Sequence, residues 1–143
     1  MANSFKLELV TPLAKILSEE VNFVMLRTTE GDMGILPNHS PFVAGLATGE
    51  MKVRNNGQEK FYYVSGGFVE ISDNVVTILA DEAMDVKDID LEAARREAQI
   101  AKEKLEKIAE DIDIANVQKT LTQALTKVKL AEKILTITFF LLI

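Results

Sequence analysis

Apolar and polar residues alternate with a period of two through the first part of the chain. Phe5, Leu7 and Leu9 alternate with Lys6, Glu8 and Val10; Val21, Phe23 and Met25 repeat the pattern, as do Met51 and Val53. A period of two puts one set of side chains on one face of a strand, so these runs predict half-buried strands. Asn55-Asn56-Gly57 lies between residues 51–54 and 60–64. Asn and Gly accept positive φ, which makes this a hairpin turn. Ser72-Asp73-Asn74 joins residues 68–71 to 75–80 in the same way. Many short strands separated by turns predict an antiparallel β-sandwich or flattened barrel over residues 1–84.

The period changes near Asp85. Leu91, Ala94, Ala98, Ala101, Leu105 and Ile108 are spaced alternately three and four apart. Beyond the acidic run Glu110-Asp111-Ile112-Asp113 the same spacing returns in Ile114, Val117, Leu121, Ala124, Val128, Ala131 and Leu135. Each series draws an apolar stripe along a helix. Two helices joined by a short acidic turn predict an antiparallel hairpin over residues 85–143, so the class is α+β. Asp88 or Asp90 can cap the first helix and Asp113 the second. The first stripe is rich in alanine, and each alanine buries little area at about 25 cal/mol per Å². A hairpin with so thin a seam docks on something else or opens easily, which predicts a mobile element.

Composition narrows the functions. The chain has 143 residues, 48% hydrophobic and 27% charged, as expected of a folded protein. A net charge of −6 argues against a general nucleic-acid binder, which needs a basic face. With no cysteine, disulfides, thiolate metal sites and cysteine nucleophiles are excluded. One histidine without suitably spaced carboxylates gives no metal site. The start, Met1-Ala2-Asn3-Ser4-Phe5-Lys6, lacks the pattern of a signal peptide.

The run Gly31-Asp32-Met33-Gly34-Ile35-Leu36-Pro37-Asn38-His39-Ser40-Pro41 holds two glycines, two prolines and the single histidine. Gly31 and Gly34 permit positive φ, Pro37 and Pro41 fix φ, and Asn38 can close a side-chain-to-backbone turn. A stiff loop holding Asp32 and His39 is expected. This run resembles the signature loop of the epsilon subunits of rotary F-type ATP synthases. A second run, Tyr63-Val64-Ser65-Gly66-Gly67-Phe68-Val69-Glu70, followed by Val76-Thr77-Ile78-Leu79-Ala80-Asp81, agrees with that family in order and spacing. The resemblance covers nearly the whole chain and stops before the last ten or so residues, 134–143.

The resemblance implies a β-sandwich followed by a helical hairpin and no catalysis of its own. It implies a rotor subunit of a proton- or sodium-driven synthase, lying peripherally on the cytoplasmic face of the bacterial inner membrane and membrane-associated only through the complex. The implied partners are the gamma subunit and the c-ring, with the alpha/beta catalytic head added when the hairpin extends and blocks ATP hydrolysis. No cofactor is implied. Asp32 and His39 map onto the surface that faces the rotor ring. In the second helix, Lys119, Lys127, Lys129 and Lys133 form a basic set with Glu132 as the only acid after Asp113, and such a helix suits an acidic partner surface.

Two further functions are tested against the residues. Some bacterial epsilon subunits bind ATP through Ile or Leu, Asp, two free positions, Arg and Ala, with later arginines completing the site. The matching run Ile89-Asp90-Leu91-Glu92-Ala93-Ala94 keeps Ile89, Asp90 and Ala94 but has Ala93 at the arginine position. Without gaps, the later arginine positions fall on Ile100, Gln123 and Lys127. A shifted frame ending in Arg95 and Arg96 recovers an arginine and loses the aspartate and alanine. Arginine binds phosphate oxygens bidentately and lysine does not, so an ATP-sensing module is the alternative and absent or very weak ATP binding is expected. A carboxylate hydrolase would need Glu30, Asp32, Asp81 and Glu82 to converge.

Gly66-Gly67 lacks the lysine and further glycines of a phosphate loop and predicts a tight turn. The tail Ile134-Leu135-Thr136-Ile137-Thr138-Phe139-Phe140-Leu141-Leu142-Ile143 is too short to span a bilayer, which takes about 20 residues. It leaves open a helix extension into an apolar cleft of the catalytic head, a frayed end, or a segment foreign to the protein.

Overall fold

The structure, a computed structural model, describes residues 3–107 and 113–142. Ile108 of the first stripe, the predicted turn residues Glu110, Asp111 and Ile112, and Ile143 of the tail lie outside the described residues. The chain divides into two compact units, Met1–Asp85 and Val86–Ile143.

The first unit contains β1 (Phe5–Val10), β2 (Lys15–Val21), β3 (Phe23–Thr28), β4 (Gly31–Ile35) and β5 (Phe42–Gly45), followed by β6 (Gly49–Asn55), β7 (Gln58–Ser65), β8 (Phe68–Ser72), β9 (Val75–Leu79) and β10 (Glu82–Asp85). They form two five-stranded sheets, ordered β2-β1-β9-β8-β5 and β10-β7-β6-β3-β4. The inner faces share one core: Phe5, Leu7, Leu9, Val69, Ile71 and Ile78 from the first sheet meet Val24, Leu26, Ile35, Met51, Val53 and Val64 from the second. Each such side chain, fully buried, contributes about 1.5–3 kcal/mol. This is the expected sandwich. One pair departs from the antiparallel pattern, since β1 and β9 run parallel, with Leu9 opposite Ile78.

Both predicted turns are present. Asn56 (φ 51°) and Gly57 (φ 80°) link β6 to β7, and Asp73 (φ 50°) and Asn74 (φ 61°) link β8 to β9. Paired positive φ values mark the turn whose twist matches that of the flanking strands. Gly66 and Gly67 turn the chain from β7 in one sheet to β8 in the other, at φ 71° and 88°. A Cβ on Gly67 would overlap the Leu79 carbonyl, so the turn needs glycine for space as well as for φ.

Three local expectations are corrected. The run Val21, Phe23, Met25 is broken at Asn22, where the chain passes from the first sheet to the second. Asn22 donates its side-chain N–H to the Asn3 carbonyl and accepts from the Asn56 N–H, both at 2.7 Å. The inward set therefore restarts at Val24 and Leu26, while Phe23 and Met25 face outward. The signature run is also less of a loop than expected, because Gly31–Ile35 is β4. Gly34 provides room: a Cβ there would lie 3.1 Å from the Phe23 ring, over which the Arg54 guanidinium sits at 5.1 Å. Asn38 is held in the left-handed region (φ 60°) by its neighbour in space, its N–H donating to the Asn74 side chain at 2.7 Å.

In the second unit a short 3-10 turn, Val86–Asp88, precedes α1 (Leu91–Glu106) and α2 (Ile114–Leu142). Asp90 caps α1, accepting from the Ala93 N–H at 3.0 Å, and Asp113 accepts from the Asn116 N–H at 3.2 Å. Ala94, Ala98, Ala101, Ala124 and Ala131 are buried on the predicted stripes. The outer members of the second stripe, Ile114 and Leu135, are 60% and 58% exposed. Residues 134–142 continue α2 as helix.

Candidate docking surfaces

The second sheet ends in the β3–β4 hairpin, and its register sets Arg27 opposite Asp32. The guanidinium grips the carboxylate with two bonds, Nε to Oδ1 at 2.9 Å and Nη2 to Oδ2 at 3.4 Å. The hydrogen bond from Arg27 holds the Asp32 carboxyl below its ordinary pKa and raises that of Arg27 in turn. Asp32 thus stands at the surface as half of an ion pair. His39 stands in the loop beyond the other end of β4, half-buried, with Nδ1 2.7 Å from the Ser40 carbonyl and its ring edge-on to Phe42 at 6.2 Å. The two predicted docking residues occupy opposite ends of one edge strand.

This loop is braced at two points. The Asn38 N–H bonds to Asn74, whose side-chain amide donates to the Ser4 carbonyl at 2.9 Å. Asn74 thereby ties the loop after β4 to the β8–β9 turn and to the chain leading into β1. A surface held this way presents fixed polar groups and loses little entropy on docking.

A second surface was not visible in the alternation of residues. On the outer face of the first sheet, Val10, Leu79 and Phe68 stand side by side on β1, β9 and β8. Leu79 is 53% exposed and Phe68 61%, and Val43 on the edge strand β5 is 67% exposed. The available signal was an excess of apolar residues: in Phe68-Val69-Glu70-Ile71 and in Ile78-Leu79, apolar side chains fall on both faces. Exposed apolar groups gathered on a rigid sheet fit a protein partner.

The acids of a hydrolase do not converge. Asp32 lies on β4 and Glu82 on β10, the two opposite edges of one five-stranded sheet. At about 4.8 Å per strand, four steps separate them by roughly 19 Å. Asp81 sits against Gly66, and Glu30 is in the β3–β4 turn.

In the hairpin, Asp90 is occupied as a cap, and Arg95 bonds Glu92 at 3.1 Å and Glu132 at 3.0 Å. The hydrogen bond that Arg95 donates to Glu132 is the main cause of its raised pKa. Ile89 and Ala94 lie either side of the cap, with Ala94 buried in the seam. A cleft of about 560 Å³ between α1 and α2 is lined by Glu97, Ile100, Ala101, Lys104, Asp113, Asn116, Val117 and Thr120. Its lining holds one lysine and two carboxylates, a set unsuited to a triphosphate. Lys119, Lys129 and Lys133 are exposed and fall within an arc of roughly 80° on α2, while Lys127 is half-buried on another side. Glu132, which pairs with Arg95, falls about 60° outside this arc.

Two packed sheets that expose a polar edge and an apolar row, followed by paired helices, make a chain suited to binding other proteins. The model of the ATP synthase delta/epsilon chain β-sandwich domain matches residues 4–86. The chain is 58% identical over 130 residues to the ATP synthase epsilon chain, sodium ion specific, of Propionigenium modestum, covering 91% of this chain and 95% of that one. It is 42% identical over 129 residues to the ATP synthase epsilon chain of Nitratidesulfovibrio vulgaris, covering 90% and 96%. Among solved structures, a chain of the Euglena gracilis mitochondrial ATP synthase OSCP/F1/c-ring superposes with a TM-score of 0.77 at 29% identity, covering 88% of this chain and 80% of that one. A chain of the Tetrahymena thermophila mitochondrial ATP synthase central stalk/c-ring shares the fold, with a TM-score of 0.57 at 19% identity and coverage of 90% and 93%. The chain belongs to the ATP synthase delta/epsilon family, as a bacterial-type epsilon chain of the central stalk rather than a catalytic subunit.

Proposed function

We propose that the sandwich joins the gamma subunit to the c-ring of an ion-driven ATP synthase and that the hairpin brakes ATP hydrolysis. The observation that carries this is the contrast in packing: a core of large side chains makes a stiff joint, and an alanine seam makes a hairpin that a partner can rearrange. A joint needs rigidity alone. A brake needs two arrangements separated by a few kcal/mol, so that a partner binding one of them shifts the population.

The edge carrying the Arg27–Asp32 pair and His39 serves the rotor ring, and the apolar row Val10, Leu79, Phe68 serves the gamma subunit. When the hairpin extends, the lysines of α2 meet the alpha/beta catalytic head. The chain lies peripherally on the cytoplasmic face of the inner membrane, held there through its partners. Among the described residues no helix is long and apolar enough to cross a membrane.

The test is ATP hydrolysis by the reconstituted catalytic head with the full chain and with a truncation after Asp85. All the sandwich core residues precede that point. Hydrolysis is expected to rise on truncation while gamma binding persists. Equal rates with both proteins would remove the brake and leave the joint.

A further inference from the structure

Helix α2 has 29 residues and α1 has 16. Arg95, which meets Glu132 at 3.0 Å, is the fifth residue of α1. In an antiparallel pair α2 therefore runs past the start of α1 near Thr136. The overhang carries Ile137, Phe139, Phe140, Leu141 and Leu142, which are 44%, 65%, 75%, 82% and 82% exposed.

Two properties of this tip select its partner. Successive helical residues turn by about 100°, so Phe139, Phe140, Leu141 and Leu142 point to every side of the helix. A groove on a protein covers one face of a helix and leaves the other in water. Lipid covers every side. The second property is charge. Residues 134–143 contain no Asp, Glu, Lys or Arg, whereas Lys129 and Lys133, one turn apart on one face, stand just behind the tip. Lysines behind an uncharged apolar tip match anionic headgroups above a hydrocarbon boundary. From Lys133 to Leu142 the axis advances about 13 Å, a depth that seats in the boundary layer.

We propose that the overhanging end of α2 inserts into the interfacial layer of an anionic phospholipid bilayer, with Lys129 and Lys133 at the headgroups. This makes a direct lipid contact in addition to attachment through partner subunits.

The chain has no tryptophan, so Phe140→Trp supplies a single reporter at the tip. The full chain is titrated with vesicles of phosphatidylcholine plus phosphatidylglycerol, and with vesicles of phosphatidylcholine alone. Flotation of the unsubstituted chain with the same vesicles checks that the reporter itself does not create the binding. The expected result is a blue shift and quenching by brominated lipid with the anionic vesicles. The pair Lys129→Gln and Lys133→Gln should weaken that binding about twentyfold, and Phe139→Ser with Leu142→Ser should abolish it. No shift and no flotation with either vesicle would overturn the proposal. So would a blue shift present in buffer alone and lost on dilution, which would assign the tip to a second copy of the chain.

Discussion

Leu7 in the sandwich and Ala98 in the hairpin are both shut away from solvent, at 0% and 6% exposure, yet they hold their units together with unequal force. A buried leucine contributes about 1.5–3 kcal/mol, and one methyl group about 0.8. Leu7 stands opposite Val76, beside Phe5, Leu9 and Ile78 in one core, whereas the two helices bury Ala94, Ala98, Ala101, Ala124 and Ala131, with Leu130 as their one large buried side chain among the described residues. Equal burial thus gives a rigid body in one unit and a loosely joined pair in the other. Degree of burial alone does not measure how firmly an element is held. The volume of what is buried is the better guide, because local stability sets how readily an element rearranges.

The largest effect should come from the sandwich. Leu7→Ala is expected to cost about 2–5 kcal/mol in urea unfolding, because the surrounding strands cannot collapse into the space. A cost below about 1 kcal/mol would place Leu7 in a core as forgiving as the hairpin seam. Next comes the hairpin: Asp90→Ala removes the α1 cap and should cost about 1 kcal/mol. That loss should appear as faster amide exchange through α1, with the sandwich amides unmoved. Equal acceleration in both units would break the contrast by making them one cooperative block. The smallest effect belongs to the Arg27–Asp32 pair. Its depressed Asp32 pKa adds stability that is present above the ordinary value of 3.8 and lost as pH falls through the lower folded value. Arg27→Gln should return the Asp32 titration, followed by carboxyl NMR, to its ordinary range. An unmoved titration would show that Arg27 does not hold the carboxylate.

Sandwich and hairpin were legible in the sequence because their periods are local properties. So were the turns at Asn56-Gly57 and Asp73-Asn74, where the side chains that tolerate positive φ are written out. The misread strand at Val21, Phe23 and Met25 failed for a physical reason. A chain that changes sheet at Asn22 resets which side faces inward, and no single-strand pattern carries that information. Likewise β4 was concealed by its glycines, of which Gly34 serves close packing against Phe23. The parallel β1–β9 pair joins residues at opposite ends of the unit, beyond the reach of any periodic signal. Among the docking residues, Asp32 and His39 came from the family loop. The role of Arg27 and the row of Val10, Leu79 and Phe68 needed the cross-strand register.

The parallel pair has a consequence for how the chain is made. Residues of β1 emerge before the rest of the sandwich during synthesis and can fold against β2, but their other neighbour, β9, ends at Leu79. At roughly 5–20 residues per second, nascent β1 waits several seconds with one edge uncovered. Its alternating Lys6 and Glu8 leave that edge charged while it waits. The earliest strand of the sandwich is thus among the last to be enclosed, and any chain released before Leu79 would carry an open sheet.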